Sequence, residues 1–179
     1  MKKTAVLLYP QFSEYELTVA LSILMQGKKQ VITVGLNKQP IKGESGLSCV
    51  ADATVDEINF EEIDSLLLPG CMDIMSLYEE ERIVDFIKQV VTKETVIASI
   101  SSSPFLLAKA GVLGDKKYTV GIIKENMEKS GVFNLENYSE QIVVQDGNII
   151  TARGRGFVRF GEYLGKALNL EFDEKWYSE

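Results

Sequence analysis

Apolar and polar positions follow two periods along this chain, and the two alternate. A short apolar run at residues 4–9 (TAVLLY) predicts a first strand. Leu17, Ala20, Leu21 and Leu24 then recur at helical spacing, with Gly27 placed to end that helix. Residues 30–36 (QVITVGL) are rich in β-branched side chains and predict a second strand. Residues 37–63 look irregular, with a small hairpin expected near GLSCVAD. The runs at 65–70 (SLLLPG) and 95–100 (TVIASI) predict two more buried strands. Ile83, Phe86, Ile87, Val90 and Val91 mark one helix face, and Leu106, Leu107, Ala110 and Leu113 mark another. Asp146-Gly147 separates two apolar runs within 141–152, a strong hairpin signal. Phe157, Phe160, Leu164 and Leu168 predict a C-terminal helix.

Continuously apolar strands separated by amphipathic helices predict an α/β domain whose mostly parallel sheet is covered on both faces. Repeats, low-complexity tracts and linkers are missing, so residues 1–179 read as a single domain. In such sheets functional groups collect at the carboxyl ends of the strands. Three turns fall there, YPQFSEYE, PGCMD and SSSP, and topology predicts that they converge on one pocket.

Composition narrows the chemistry. A net charge of −7 argues against nucleic acid or an anionic membrane surface as a partner. No apolar run approaches the ~18 residues of a membrane span, and the opening MKKTAVLLYP reads as a strand instead of a signal peptide. Cys49 and Cys71, without an export signal, suggest reduced thiols and a cytoplasmic location. There is no histidine. A Ser-His-Asp triad or a Cys-His pair therefore cannot be built, even across a homodimer interface. Two cysteines and no histidine also make a zinc site improbable, and no metal or other cofactor is expected.

Four segments carry a resemblance. IASISSSPFLLAKAGVL resembles the nucleophile elbow of the ThiJ/PfpI superfamily, and LLLPG resembles that group's P-G-G turn. DGNIITARGRG is similar to its D-G…T-(S/A)-R-G-x-G segment, and FSEYEL fits its acidic turn after the first strand. The order of the segments matches over nearly the whole chain. The resemblance implies a three-layer, flavodoxin-like, doubly wound fold with a small C-terminal β-hairpin. It also implies that Ser101 stands where the family has a reactive cysteine, and that Glu16 is the acidic residue touching the nucleophile. Ser102 and Ser103 stand for the small residue and glycine that follow, Cys71 for the second glycine of the turn, and Val120 falls near a histidine common in the group.

Each residue has a plain alternative. Ser101 can be a nucleophile with Glu16 as base, or a polar residue that keeps the turn and hydrogen-bonds Glu16. Gly70, Cys71 and Ser102 would donate N–H groups to an oxyanion in the first case. Cys71 can carry redox or carbonyl chemistry, or be a small buried residue in place of glycine. Glu16 can be a first-turn acid favoured by the helix dipole. Arg153 and Arg155, with Arg159, can hold an anion beside two glycines, or pair with local carboxylates. The leading expectation is a divergent ThiJ/PfpI-like protein without the usual cysteine chemistry, binding a small molecule or partner in its pocket and forming a homodimer. A Ser101/Glu16 hydrolase, amidase or glyoxalase-like enzyme is the second reading, and chemistry on Cys71 the third.

Overall fold

The apolar runs become strands in a computed structural model that describes residues 2–177. They are β1 (Lys3–Leu7), β2 (Val31–Gly35), β3 (Ile41–Lys42), β4 (Ser48–Cys49), β5 (Ala53–Thr54), β6 (Ile63–Leu68), β7 (Val96–Ile100), β8 (Val143–Asp146) and β9 (Ile149–Ala152). The helices are α1 (Glu14–Gln26), α2 (Glu81–Val90), α3 (Pro104–Lys109), α4 (Lys124–Ser130) and α5 (Phe157–Ala167). The main sheet runs β5–β2–β1–β6–β7–β9–β8 and is parallel except for the β8–β9 pair. Leu66, Leu67 and Leu68 are consecutive and all fully buried, which requires cover on both faces of the sheet. Each contributes roughly 1.5–3 kcal/mol of burial relative to exposure. The alternating periods predict this covered, mostly parallel α/β sheet, and the resemblance implies its three-layer, flavodoxin-like form.

On one side α5 lies against α1, and two glycines set the approach: a Cβ at Gly161 would stand 2.9 Å from Val19, and one at Gly165 2.6 Å from Ile23. On the other, α2 and α3 pack together. No helix among the described residues is long and apolar enough to cross a membrane.

Several elements differ from the periodic reading. The small hairpin expected near GLSCVAD is β3–β4, whose second strand lies within that run and pairs Cys49 with Ile41, and the two-residue β5, which the pattern does not show, then joins the main sheet beside β2. Gly27 does end α1, but with φ of −75°; the left-handed turn falls on Lys28 at φ 54°. Gly27 is glycine for space, because a Cβ there would meet Leu170 at 2.7 Å. The α3 helix stops at Lys109, before the predicted Leu113, and the turn closes through Gly111 at φ 73°. The C-terminal hairpin is no appendage: β9 pairs in parallel with β7, Ile97 beside Ile149 through Ile100 beside Ala152. The charged α4 (KENMEKS) buries only Met127 and has no apolar stripe to betray it in the sequence.

Strand order places the functional region. The β1 strand sits between β2 and β6, so successive crossovers leave it in opposite directions, and a crevice opens at the carboxyl ends of β1 and β6.

Candidate functional site

Four turns meet at that crevice. The turn after β1 is fastened to the one after β6: Ser13 N–H donates to the Gly70 carbonyl at 2.8 Å, Phe12 and Cys71 form an antiparallel bridge, and Met72 N–H reaches the Gln11 carbonyl at 3.1 Å. The turn after β7 is fixed to the one after β9, since Ser101 N–H donates to the Ala152 carbonyl at 2.7 Å. Ser101 is left-handed, with φ 62°, and Pro104 then begins α3 with its φ already helical. A serine in that conformation is strained by about 1–2 kcal/mol, and such strain gathers at functional turns.

Backbone closes around the elbow. A Cβ on Gly70 would lie 2.6 Å from Ser101 Cβ and 2.6 Å from Glu16 Oε2. One on Gly154 would lie 2.7 Å from Glu16 Oε1 and 3.4 Å from Ser101 Oγ. One on Gly121 would lie 3.1 Å from the Ser101 carbonyl carbon, and the Gly121 N–H donates to that carbonyl at 2.6 Å. The three glycines let three main-chain segments press on Ser101 and Glu16.

Glu16, near the start of α1, is buried at 2% exposure. Its carboxylate accepts the Gly70 N–H at 2.7 Å and the Tyr15 hydroxyl at 3.2 Å, and it hydrogen-bonds the Ser101 side chain. Burial pushes its pKa above the ordinary glutamate value, while these three donors oppose the shift and the Glu44 charge adds to it. Glu16 therefore ionises at a cost and holds its proton to higher pH than an exposed glutamate.

The oxyanion arrangement implied by the resemblance is largely occupied. The Gly70 N–H is committed to Glu16. The Cys71 N–H donates to Ser102 Oγ at 3.2 Å, and that hydroxyl lies 3.2 Å from the Cys71 carbonyl. The Ser102 N–H has no acceptor among the described residues. Burial raises the Cys71 thiol to about 12, with Asp73, Glu16 and Glu44 adding negative field, so it stays a protonated and poorly nucleophilic thiol at neutral pH. Position 120 supplies no base: Val120 is a core residue at 1% exposure.

The arginines divide. Arg153 places its guanidinium on the Tyr138 hydroxyl and 3.4 Å from Thr119 Oγ1, and it is not among the residues lining the cavity. It finds hydroxyls where the sequence suggested carboxylates. Arg155 is exposed on the short 3₁₀ turn before α5, and Arg159 is exposed on α5. It is the backbone of this segment, through Gly154, that enters the site.

Ser103, which the resemblance sets in place of a glycine, has a role that the sequence did not announce. It is fully buried, and its hydroxyl lies 2.7 Å from Ser99 Oγ, 2.9 Å from the Leu68 carbonyl and 3.0 Å from the Ile100 nitrogen. It joins the ends of β6 and β7 beneath the elbow. Tyr15 was also missed, though its place beside Glu16 in an acidic helix start was a usable signal.

Ser101 and Ser102 open onto a cavity of about 630 Å³, with Gly121 beside Ser101 and a wall that runs from Ile122 through α4 to Phe133. A DJ-1/PfpI family profile matches residues 2–164. The chain is 31% identical over 147 residues to the deglycase PfpI of Pyrococcus furiosus, covering 82% of this chain and 86% of that one. It is 28% identical over 155 residues to general stress protein 18 of Bacillus subtilis, covering 85% and 88%. Its fold is similar to the crystal structure of a ThiJ/PfpI family protein from Bacillus anthracis, with a TM-score of 0.84 at 24% identity over 94% of this chain and 84% of that one.

Proposed function

The chain belongs to the DJ-1/PfpI family, and from that premise we propose that it binds a small molecule in the family pocket without forming a covalent intermediate. One observation carries this reading. Both turn N–H groups that would stabilise an oxyanion are satisfied internally, Gly70 by Glu16 and Cys71 by the Ser102 hydroxyl. A single donor of this kind is worth about 10²–10³ in rate, so their engagement removes much of what acyl or carbonyl addition needs. An alcohol also needs a stronger base than a carboxylate, and the chain has no histidine to supply one. The thiol of Cys71 does not take over, being held protonated.

A second reading is favoured by the strained Ser101, which faces the cavity with Glu16 on its hydroxyl. In that reading Ser101 attacks a carbonyl, Glu16 takes the proton, and the activity resembles that of the relatives named deglycases. Turnover of a panel of small dicarbonyls, esters and amides by wild type, Ser101→Ala and Ser101→Cys separates the two. The binding reading expects no Ser101-dependent turnover by wild type and new turnover in Ser101→Cys. Wild-type activity that vanishes in Ser101→Ala overturns it in favour of the serine mechanism.

A further inference from the structure

The cavity has two unlike ends. Its inner end holds the Ser101 and Ser102 hydroxyls and the unpaired Ser102 N–H. Its walls are mixed, and their apolar part is Met72, Ile74 and Met75 on the segment after β6, Phe105 on α3, and Ile123 and Phe133 flanking α4. At the mouth, Met72 is 70%, Met75 51% and Ile123 64% exposed, although large apolar side chains rarely gather in the open without an occupant to meet them. The volume, about 630 Å³, lies inside the roughly 300–1,000 Å³ range of small-molecule sites.

The charges around this cavity select against an anion. Glu16 lies directly behind Ser101, and Asp73 is part of the wall. The wall cation Lys129 is paired with Glu125 at 2.6 Å. Asn126 and Ser130 add only neutral polar groups. A ligand carboxylate placed at the inner end would lie beside Glu16 and near Asp73, while the lining cation Lys129 stands in solvent and is shared with Glu125.

From this division we infer that the pocket takes a neutral aliphatic carbonyl compound with a medium-length chain, its oxygen accepting from the Ser102 N–H and its chain lying between Met72, Ile74 and Met75 on one side and Ile123 and Phe133, which flank α4, on the other. A polar three-carbon dicarbonyl would leave these walls uncovered. The inference rests on the binding reading above and names the ligand class for it. Ser101 supplies a neutral hydroxyl beside the bound oxygen and no bond to it.

Calorimetric titration of the intact protein with butanone, 2-hexanone, 2-octanone and 2-decanone, and with octanoate, tests it. Affinity should rise about 2- to 4-fold per added methylene, the upper value being full burial of each group. Octanoate should bind at least about 10-fold more weakly than 2-octanone, the factor that 1.36 kcal/mol of unfavourable interaction produces. Ile123→Asp should weaken 2-octanone binding at least about 5-fold while leaving the melting temperature unchanged, because position 123 is the exposed N-cap of α4, where aspartate is favoured. Affinities that are flat along the series, or octanoate binding as tightly as 2-octanone, overturn the inference. Binding to wild type with a methylene slope that Ile123→Asp does not lower also overturns the assigned wall. Ser101-dependent turnover in the panel above sinks only the binding reading and leaves the chain-length slope as it is. A flat slope in a protein without turnover sinks only the ligand class.

Discussion

Replacing Ser101 by glycine and by alanine should reverse the usual ranking of these two residues. Both changes delete the same hydroxyl and its hydrogen bond to Glu16, so that loss cancels between them. What remains is the Cβ. At φ 62° an L-residue is strained by about 1–2 kcal/mol, whereas glycine is not. Glycine gives back about 0.4–1 kcal/mol through the greater freedom of its unfolded chain. The net is about 0.5–1 kcal/mol in favour of Ser101→Gly, or about 1–4 °C in melting temperature for a chain of this size. In an ordinary helix or strand interior the difference runs the other way by about 0.5–1 kcal/mol. Ser101 borders the open cavity, so removing a methyl there leaves no sealed void. Thermal and urea unfolding of the two variants, run side by side, gives the difference directly. If Ser101→Ala is as stable as Ser101→Gly or more so, the elbow is not held left-handed and the account of its strain fails.

Three more outcomes follow from the same geometry. The raised pKa of Glu16 means that the folded state binds its proton more tightly than the unfolded chain does, so ionisation costs stability from the ordinary glutamate value upward. Melting temperatures of wild type minus Glu16→Gln should therefore fall as pH rises through that window, and a difference that is constant or rises with pH would refute the buried-acid account. Gly70→Ala forces a Cβ to 2.6 Å from both Ser101 Cβ and Glu16 Oε2 and should cost about 1–3 kcal/mol in urea unfolding; a neutral result would mean the turns are not pressed together as described. With its thiol at about 12, Cys71 is on the order of one part in 10⁴ thiolate at pH 8. Peptide mapping after brief native alkylation at that pH should find Cys71 unmodified, and rapid labelling there would revive chemistry on that sulfur.

The parallel strands were legible because burial on both faces writes an unbroken apolar run, as in SLLL of β6 and VIASI of β7. The β8–β9 hairpin was legible from Asp146-Gly147, and Gly147 does adopt φ 60°. Two-residue β5 and charged α4 were not, because neither is long enough or striped enough to carry a period. At the site, the strand pattern placed three turns at the carboxyl ends of strands, and the resemblance to ThiJ/PfpI segments singled out Ser101, Glu16, Gly70 and Cys71 within them. Their bonding partners were not. Whether the Gly70 N–H faces a ligand or the Glu16 carboxylate depends on how two turns distant in sequence dock, and no local pattern encodes that. The arginines of ARGRG drew attention by charge, yet the glycine between them makes the contact.

The shell of Gly70, Gly121 and Gly154 also bears on how this position can change over generations. Most core residues have side-chain neighbours, so an enlarged residue can be rescued by a smaller one across the contact. On the side away from the cavity and Glu16, Ser101 has peptide planes for neighbours, and a peptide plane cannot be mutated away. Second-site compensation is therefore closed to it on that side, and residues of about its own size fit the elbow without moving backbone. Serine, cysteine, alanine and glycine form a small island of accessible sequence, with single substitutions linking serine to each of the others. The choice of elbow atom can drift within that island while the surrounding turns stay as they are, so chemistry at this position can be lost or regained without the fold having to adjust.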